Sequence, residues 1–258
     1  MVLPSPKVRL VLLFILASLV LRAEPAASDP ILFAAATDAE LQPLVDWLQQ
    51  PVTEQKASWQ FRQGTIDGQR VVLIRTEGDP LNAVAATTLA IRRYHPKLVV
   101  TYGLSRAHDP ALRPGDVVVS EKFAAFDGME SDVLPLDGGS APLTWSRLQH
   151  KLATAGEKET PTDFFPADAQ ALGRAKTITL AHGRIMVGVP GSANQVNREA
   201  DRVAWIHDKW GTSCEDGESA HIAGCAQLLG VPVIGLRVID GTESTAATVA
   251  LQFLEAVK

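Results

Sequence analysis

Short apolar runs of the kind that fill buried strands constrain this chain more than any other feature. They are Ile31–Ala36, Leu98–Val100, Val117–Val119 and the longer Val231–Val238. Lacking the alternation of a half-exposed strand, they suit a sheet covered on both faces. Between them, apolar residues recur at helical spacing. Leu41, Leu44, Val45 and Leu48 predict a helix starting near Thr37 or Asp38. Further helices are predicted over Leu81–Tyr94, Arg198–Lys209, Glu218–Leu229 and Thr242–Val257. Trp59–Ile66 and Arg70–Arg75 read as strands joined by an Asp67-Gly68 turn, and Arg184–Val189 as another strand. Asp132–Pro166, rich in Gly, Pro, Ser and Thr, is expected to be loop around one helix near Trp145–Ala153. Strands alternating with helices predict an α/β chain, a three-layer αβα sandwich around a central mixed, largely parallel sheet. There is no internal repeat and no dividing linker, so one domain is expected over 29–258.

The first 28 residues are of a different kind. Lys7 and Arg9 precede Leu10–Leu21, whose one polar interruption is Ser18, and Ala26-Ala27-Ser28 follows. A basic stretch, a short apolar stretch and small residues predict a signal peptide over 1–28, cut before Asp29. Such a run is short for crossing about 30 Å of hydrocarbon, which makes an uncleaved anchor the weaker alternative. The expected protein is therefore periplasmic or secreted, with no stable membrane insertion after processing. Cleavage removes Lys7, Arg9, Arg22 and Glu24 and takes the formal net charge from -5 to -7.

That acidity, with no basic stripe, excludes a general nucleic-acid binder, because phosphate backbones are held by clustered Lys and Arg. The 46% hydrophobic content excludes a disordered chain. Cys214 and Cys225 are too few to staple a small scaffold and have no partner set for a metal; whether they pair with each other is left open. In sheets of this kind ligands gather beyond the carboxyl ends of the strands. The residues placed there are Asp38 and Glu40, Gly103–Asp109, and Asp240 with Glu243. Glu215, Asp216 and Glu218 open the helix before the last strand.

Three motifs carry a family resemblance across about Ile31 to Lys258. Leu98–Ser120 (LVVTYGLSRAHDPALRPGDVVVS) parallels a strand, a glycine loop and an "L-x-x-G-D-I-V-V-S" pattern. Glu215–Arg237 parallels "E-M-E-x-x-A" followed by a helix and a strand ending in Arg. Pro80-Leu81-Asn82-Ala83 stands where a "G-x-V-N-A" helix start is found. On these the chain resembles the purine nucleoside phosphorylase and nucleosidase superfamily, and most of all its methylthioadenosine/S-adenosylhomocysteine nucleosidases.

The resemblance implies a phosphorylase/hydrolase-like fold, a small-molecule nucleoside as ligand, cleavage of its N-glycosidic bond, no cofactor and no metal, and a homodimer. It implies Glu40 as the carboxylate that activates water and Glu218 as the one that grips the ribose hydroxyls. Asp240 is implied as the acid at purine N7, through a one-residue gap; ungapped, Gly241 takes that position. Each has a plainer alternative. Glu40 and Glu218 would suit solvated helix starts, and Asp240 a cap of the last helix, with Thr242 and Ser244 as rivals.

Other positions depart from the family pattern. Its "G-S-A-G-G" loop reads Gly103-Leu104-Ser105-Arg106-Ala107 here, and its "E-M-E" methionine is Gly217. Val196 stands where relatives stack an aromatic ring on the purine, giving contact without π-stacking. Gly103, Ser105, Arg106, Val196 and Gly217 are, with Glu218, the expected substrate-binding residues. Arg106 and Ser105 would also suit an anion, with Arg237 available at the end of the last strand, which keeps phosphorolysis open; a salt bridge from Arg106 to a nearby acid is the plainer alternative. Glu40 favours water as the nucleophile. A nucleoside-binding protein that has lost catalysis remains the alternative outside enzymes.

Overall fold

The computed structural model describes residues 29–153 and 160–258; the expected signal peptide lies outside the described residues. The chain opens with β1 (Ile31–Ala35) and α1 (Asp38–Asp46), then the antiparallel strands β2 (Gln49–Lys56), β3 (Trp59–Ile66) and β4 (Gln69–Arg75). Next come α2 (Pro80–Tyr94), the long β5 (Leu98–Ala107), β6 (Val117–Ser120) and β7 (Lys122–Ala125). Short strands follow: β8 (Met129–Glu130), β9 (Ser146–Arg147), β10 (His150–Leu152), β11 (Thr160–Thr162) and β12 (Phe164–Pro166). The last part holds α3 (Ala169–Ala175), β13 (Ile185–Gly188), β14 (Pro190–Ser192), α4 (Ala200–Trp210), β15 (Cys214–Asp216), α5 (Ser219–Leu228), β16 (Val233–Ile239) and α6 (Glu243–Ala256).

The period-two alternation of β1 explains the three layers. Ile31 and Phe33 point into one apolar cluster, closed by Leu41 and Leu44 of α1, Ala171 of α3 and Phe253 of α6. Leu32 and Ala34 point the other way, against Ala83 and Ala86 of α2 and Ala220 and Ala223 of α5. All five residues of β1 are buried, as its unbroken apolar run requires. The sheet is mixed: β1 runs parallel to β4 and to β5, and β5 runs parallel to β16. The β2–β3–β4 edge is antiparallel.

β5 does two jobs. Its first part pairs with β1 and β16; its end leaves them and pairs antiparallel with β15, Arg106 opposite Glu215 and Ala107 opposite Cys214. A strand that bends between two partners opens a crevice beside it, and the candidate site lies there.

One expectation fails. The segment near Trp145–Ala153 is not helical: β9 pairs with β8 and β10 with β11. Trp145, Leu148 and Leu152 do recur at helical spacing, but cross-strand partners satisfy the backbone instead. β2 and α3 were not expected. β2 is almost wholly exposed, with only Val52 as an aliphatic residue, and owes its form to pairing with β3. α3 is short and starts at Asp168, whose carboxylate accepts from the Ala171 N–H at 2.7 Å. Cys214 and Cys225 are both free thiols.

Candidate active site

A cavity of about 520 Å³ opens beside the bend of β5. Ser105, Arg106, Val196, Gly217 and Asp240 all line it. Glu40 and Glu218 stand directly behind that lining: Glu40 bonds the backbone of Leu104, and the Glu218 backbone bonds Asp216, both lining residues.

Local sequence sets Glu40. Thr37 caps α1, its hydroxyl accepting from the Glu40 N–H at 3.2 Å, while Oε2 of Glu40 accepts from the Thr37 N–H at 3.1 Å. This reciprocal capping box turns the carboxylate back toward the strand end. Oε1 then accepts from the Leu104 N–H at 3.0 Å, and Tyr102 donates its phenol to the Glu40 carbonyl at 3.0 Å. Glu40 is 5% exposed, so it is no solvated helix-start residue. Gly103 makes this approach possible. With φ at +149°, its missing Cβ would stand 2.5 Å from Oε1 of Glu40 and 3.0 Å from Nη1 of Arg237.

Glu218 is more deeply buried, at 1% exposure. The start of α5 is capped two residues earlier by Asp216, whose Oδ1 accepts from the N–H groups of Glu218 and Ser219, both at 2.7 Å. That leaves the Glu218 side chain without a capping duty. Its Oε2 accepts from the Thr76 hydroxyl at 2.5 Å, and its Oε1 has no hydrogen-bond partner among the described residues. Burial pushes its pKa up to about 7, against the lowering effects of Arg237 and Thr76. A buried carboxylate oxygen without a donor is an open acceptor for a ligand hydroxyl.

Arg237, near the end of β16, is 2% exposed. Its Nε lies 3.1 Å from Oδ2 of Asp216, and Nη2 donates to the Thr101 hydroxyl. One ion pair and one hydrogen bond thus fix the position of the guanidinium.

The remaining predicted residues are positioned less directly. Ser105 donates its hydroxyl to the Glu215 carbonyl at 2.6 Å, tying β5 to β15. Arg106 makes no ion pair with an acid among the described residues; it donates to the Asn197 carbonyl at 3.5 Å. Val196 is 67% exposed at the cavity wall. Gly217 is required by packing: a Cβ there would stand 2.2 Å from the Gly78 carbonyl oxygen. The 76–79 turn therefore occupies the space a side chain at 217 would need. Asp240 is exposed in a left-handed turn, φ +41°, and its N–H donates to the Ser105 carbonyl at 3.0 Å. It does not cap α6; Thr242 does, accepting from the Thr245 N–H at 3.2 Å. A Cβ at Gly241 would stand 2.5 Å from Cγ1 of Val238, so an acid fits the turn at 240 and not at 241.

Sequence reasoning missed Thr76, Thr101 and Asn197, and gave His108, inside the Gly103–Asp109 stretch, no role of its own. Thr76 directly follows β4, and the strand-end rule that singled out Glu40 applies to it equally.

A model of the phosphorylase superfamily matches residues 30–257. The chain belongs to the phosphorylase superfamily. Among its relatives, the 5'-methylthioadenosine/S-adenosylhomocysteine nucleosidase of Bacillus anthracis is 25% identical over 224 residues, covering 85% of this chain and 89% of that protein. The nucleosidase of the same name from Colwellia psychrerythraea 34H, solved with adenine, superposes with a TM-score of 0.73 at 20% identity, covering 90% of this chain and 96% of that one. Futalosine hydrolase of Helicobacter pylori superposes at 0.71 with 17% identity, over 88% and 97% of the two chains. The superfamily fold thus spans the described chain from its first strand to its last helix.

Proposed function

We propose that this member of the phosphorylase superfamily is an exported nucleosidase that hydrolyses the N-glycosidic bond of a purine nucleoside or thionucleoside of the methylthioadenosine/S-adenosylhomocysteine type. The observation that carries the reading is the pair of buried carboxylates, Glu40 and Glu218, set behind one cavity, with Oε1 of Glu218 unpartnered among the described residues. The nucleosidase names of the relatives support it.

Glycosidic cleavage passes through an oxocarbenium-like state, which needs charge stabilisation at the sugar, an activated water and a proton for the leaving group. Glu218 accepts from the ribose hydroxyls through its open oxygen. Glu40, fixed by Thr37 and Leu104, takes the proton of the attacking water. Asp240, at the mouth of the same cavity, donates to N7 of the departing purine. Water is favoured over phosphate because Glu40 supplies a fixed carboxylate behind the cavity to take its proton.

The export half of the proposal rests on Lys7, Arg9 and the Leu10–Leu21 run, and places the protein in the periplasm or outside the cell. No helix among the described residues is long and apolar enough to cross a membrane. A homodimer belongs to the same proposal, and sedimentation of the purified chain checks it.

The test is base release from adenosine, inosine, methylthioadenosine and S-adenosylhomocysteine, with and without phosphate. Release at a rate indifferent to phosphate is expected; no release from any of the four overturns the enzymatic reading. The exposed Asp240 and the valine at 196 favour a second reading, nucleoside binding without turnover. Calorimetry showing tight binding by a chain that releases no base decides for it.

A further inference from the structure

In the cavity wall Glu215 belongs to a buried polar cluster that the proposed chemistry does not use. Glu215, 7% exposed, accepts from the Asn197 N–H at 3.1 Å through Oε1 and from the Asn197 side-chain amide at 2.6 Å through Oε2. Oε2 also lies 3.1 Å from Nε2 of His108, whose side chain is fully buried. His108 in turn meets the Thr212 hydroxyl through Nδ1 at 2.7 Å. Burial alone would lift the Glu215 carboxyl, but the close imidazole of His108 and the bonds from Asn197 outweigh it and hold it below the usual carboxylate range.

Asn197 ends the segment Ala193–Val196, which lines the cavity. That segment has no helix or strand of its own, so its placement depends on side-chain ties. Asn197 is tied three ways: N–H and amide to Glu215, and carbonyl to Arg106. We infer that Glu215, oriented by His108, is a positioning residue that clamps Asn197 and so holds the 193–196 wall of the cavity in the geometry that selects the nucleoside. The inference rests on the nucleosidase reading for the identity of the ligand.

The clamp has a consequence for recognition. The backbone N–H of Asn197 is spent on Glu215, and its carbonyl on Arg106. Base selection by this wall therefore falls to the residues before Asn197, Ala193 to Val196, which line the cavity.

Three variants test it on the full chain. Glu215→Leu removes both acceptors that hold Asn197, and Asn197→Ala removes the side-chain tie. Each is expected to raise KM about tenfold while kcat changes less, and to narrow the ratio of kcat/KM between adenosine and inosine. Glu215→Gln keeps an oxygen for the Asn197 N–H and an amide that can donate to the flipped Asn197 side chain, and is expected to bring KM back to within about threefold of wild type. Amide hydrogen exchange of residues 193–197, followed without ligand, is expected to speed up about tenfold in Glu215→Leu and in Asn197→Ala and to slow again in Glu215→Gln. Unchanged exchange in both Glu215→Leu and Asn197→Ala, or Glu215→Gln no better than Glu215→Leu, overturns the clamp. Lack of base release in wild type defeats the nucleosidase reading instead, and exchange still decides the clamp.

Discussion

A side-chain carbon on Gly103 would stand 2.5 Å from Oε1 of Glu40. The glycine is what lets β5 and the start of α1 bring their backbone and carboxylate together, and its φ of +149° adds a conformation that L side chains rarely adopt. Gly103→Ala is expected to cut kcat/KM at least about a hundredfold, because Glu40 must move away from the Leu104 N–H. A steady-state assay checks it; wild-type kinetics would show that the contact is not needed.

Glu218→Gln is expected to abolish most base release and yet to stabilise the protein at high pH. The fold raises this carboxyl from an ordinary value of 4.5 to about 7, so it favours the protonated form. That contribution is fully present below about pH 4.5 and is lost as pH rises through 7. The difference corresponds to about 3 kcal/mol at most. Denaturant unfolding should show the variant gaining on wild type at pH 8 and matching it near pH 4.

The same group gives a pH signature in wild type. Ribose hydroxyls donate to the ionised carboxylate, so kcat/KM is expected to rise with pH through about 7, with KM carrying the change. A profile flat between pH 6 and 8 would remove Glu218 from the ribose.

Thr37→Ala breaks the capping box that aims Glu40. A loss of about 1 kcal/mol in stability is expected, with a drop in kcat larger than the change in KM. Thr37→Ser keeps the hydroxyl and is expected to restore both, read by thermal unfolding and by the assay.

Asp240→Asn preserves the left-handed turn, which Asn tolerates, but removes the acid. A fall in kcat of about a hundredfold is expected without loss of stability. Adding Gly241→Asp is not expected to rescue it, since a Cβ at 241 meets Val238. Rescue would place the proton donor one residue further along.

How much of this was legible beforehand differs by kind. The buried-type runs at 31–36, 98–100 and 231–238 and the helical spacing between them were sufficient for the layers, because hydrophobic period is local and repeats. Glu40 was visible as a strand-end acid. The strands at 146–152 were not, since their form comes from partners elsewhere in the chain rather than from their own pattern.

The sequence by itself determined the α/β class, the covered sheet and the strand ends at which Glu40, Ser105 and Asp240 stand. Tertiary structure alone decided what those residues and their neighbours can do. Thr76 reaches Glu218 across 142 positions, Leu104 reaches Glu40 across 64, and Asn197 meets Glu215 inside a wall that no local pattern marks. Burial and pairing set the charge and the free valences of a carboxylate, and both are properties of contacts distant along the chain.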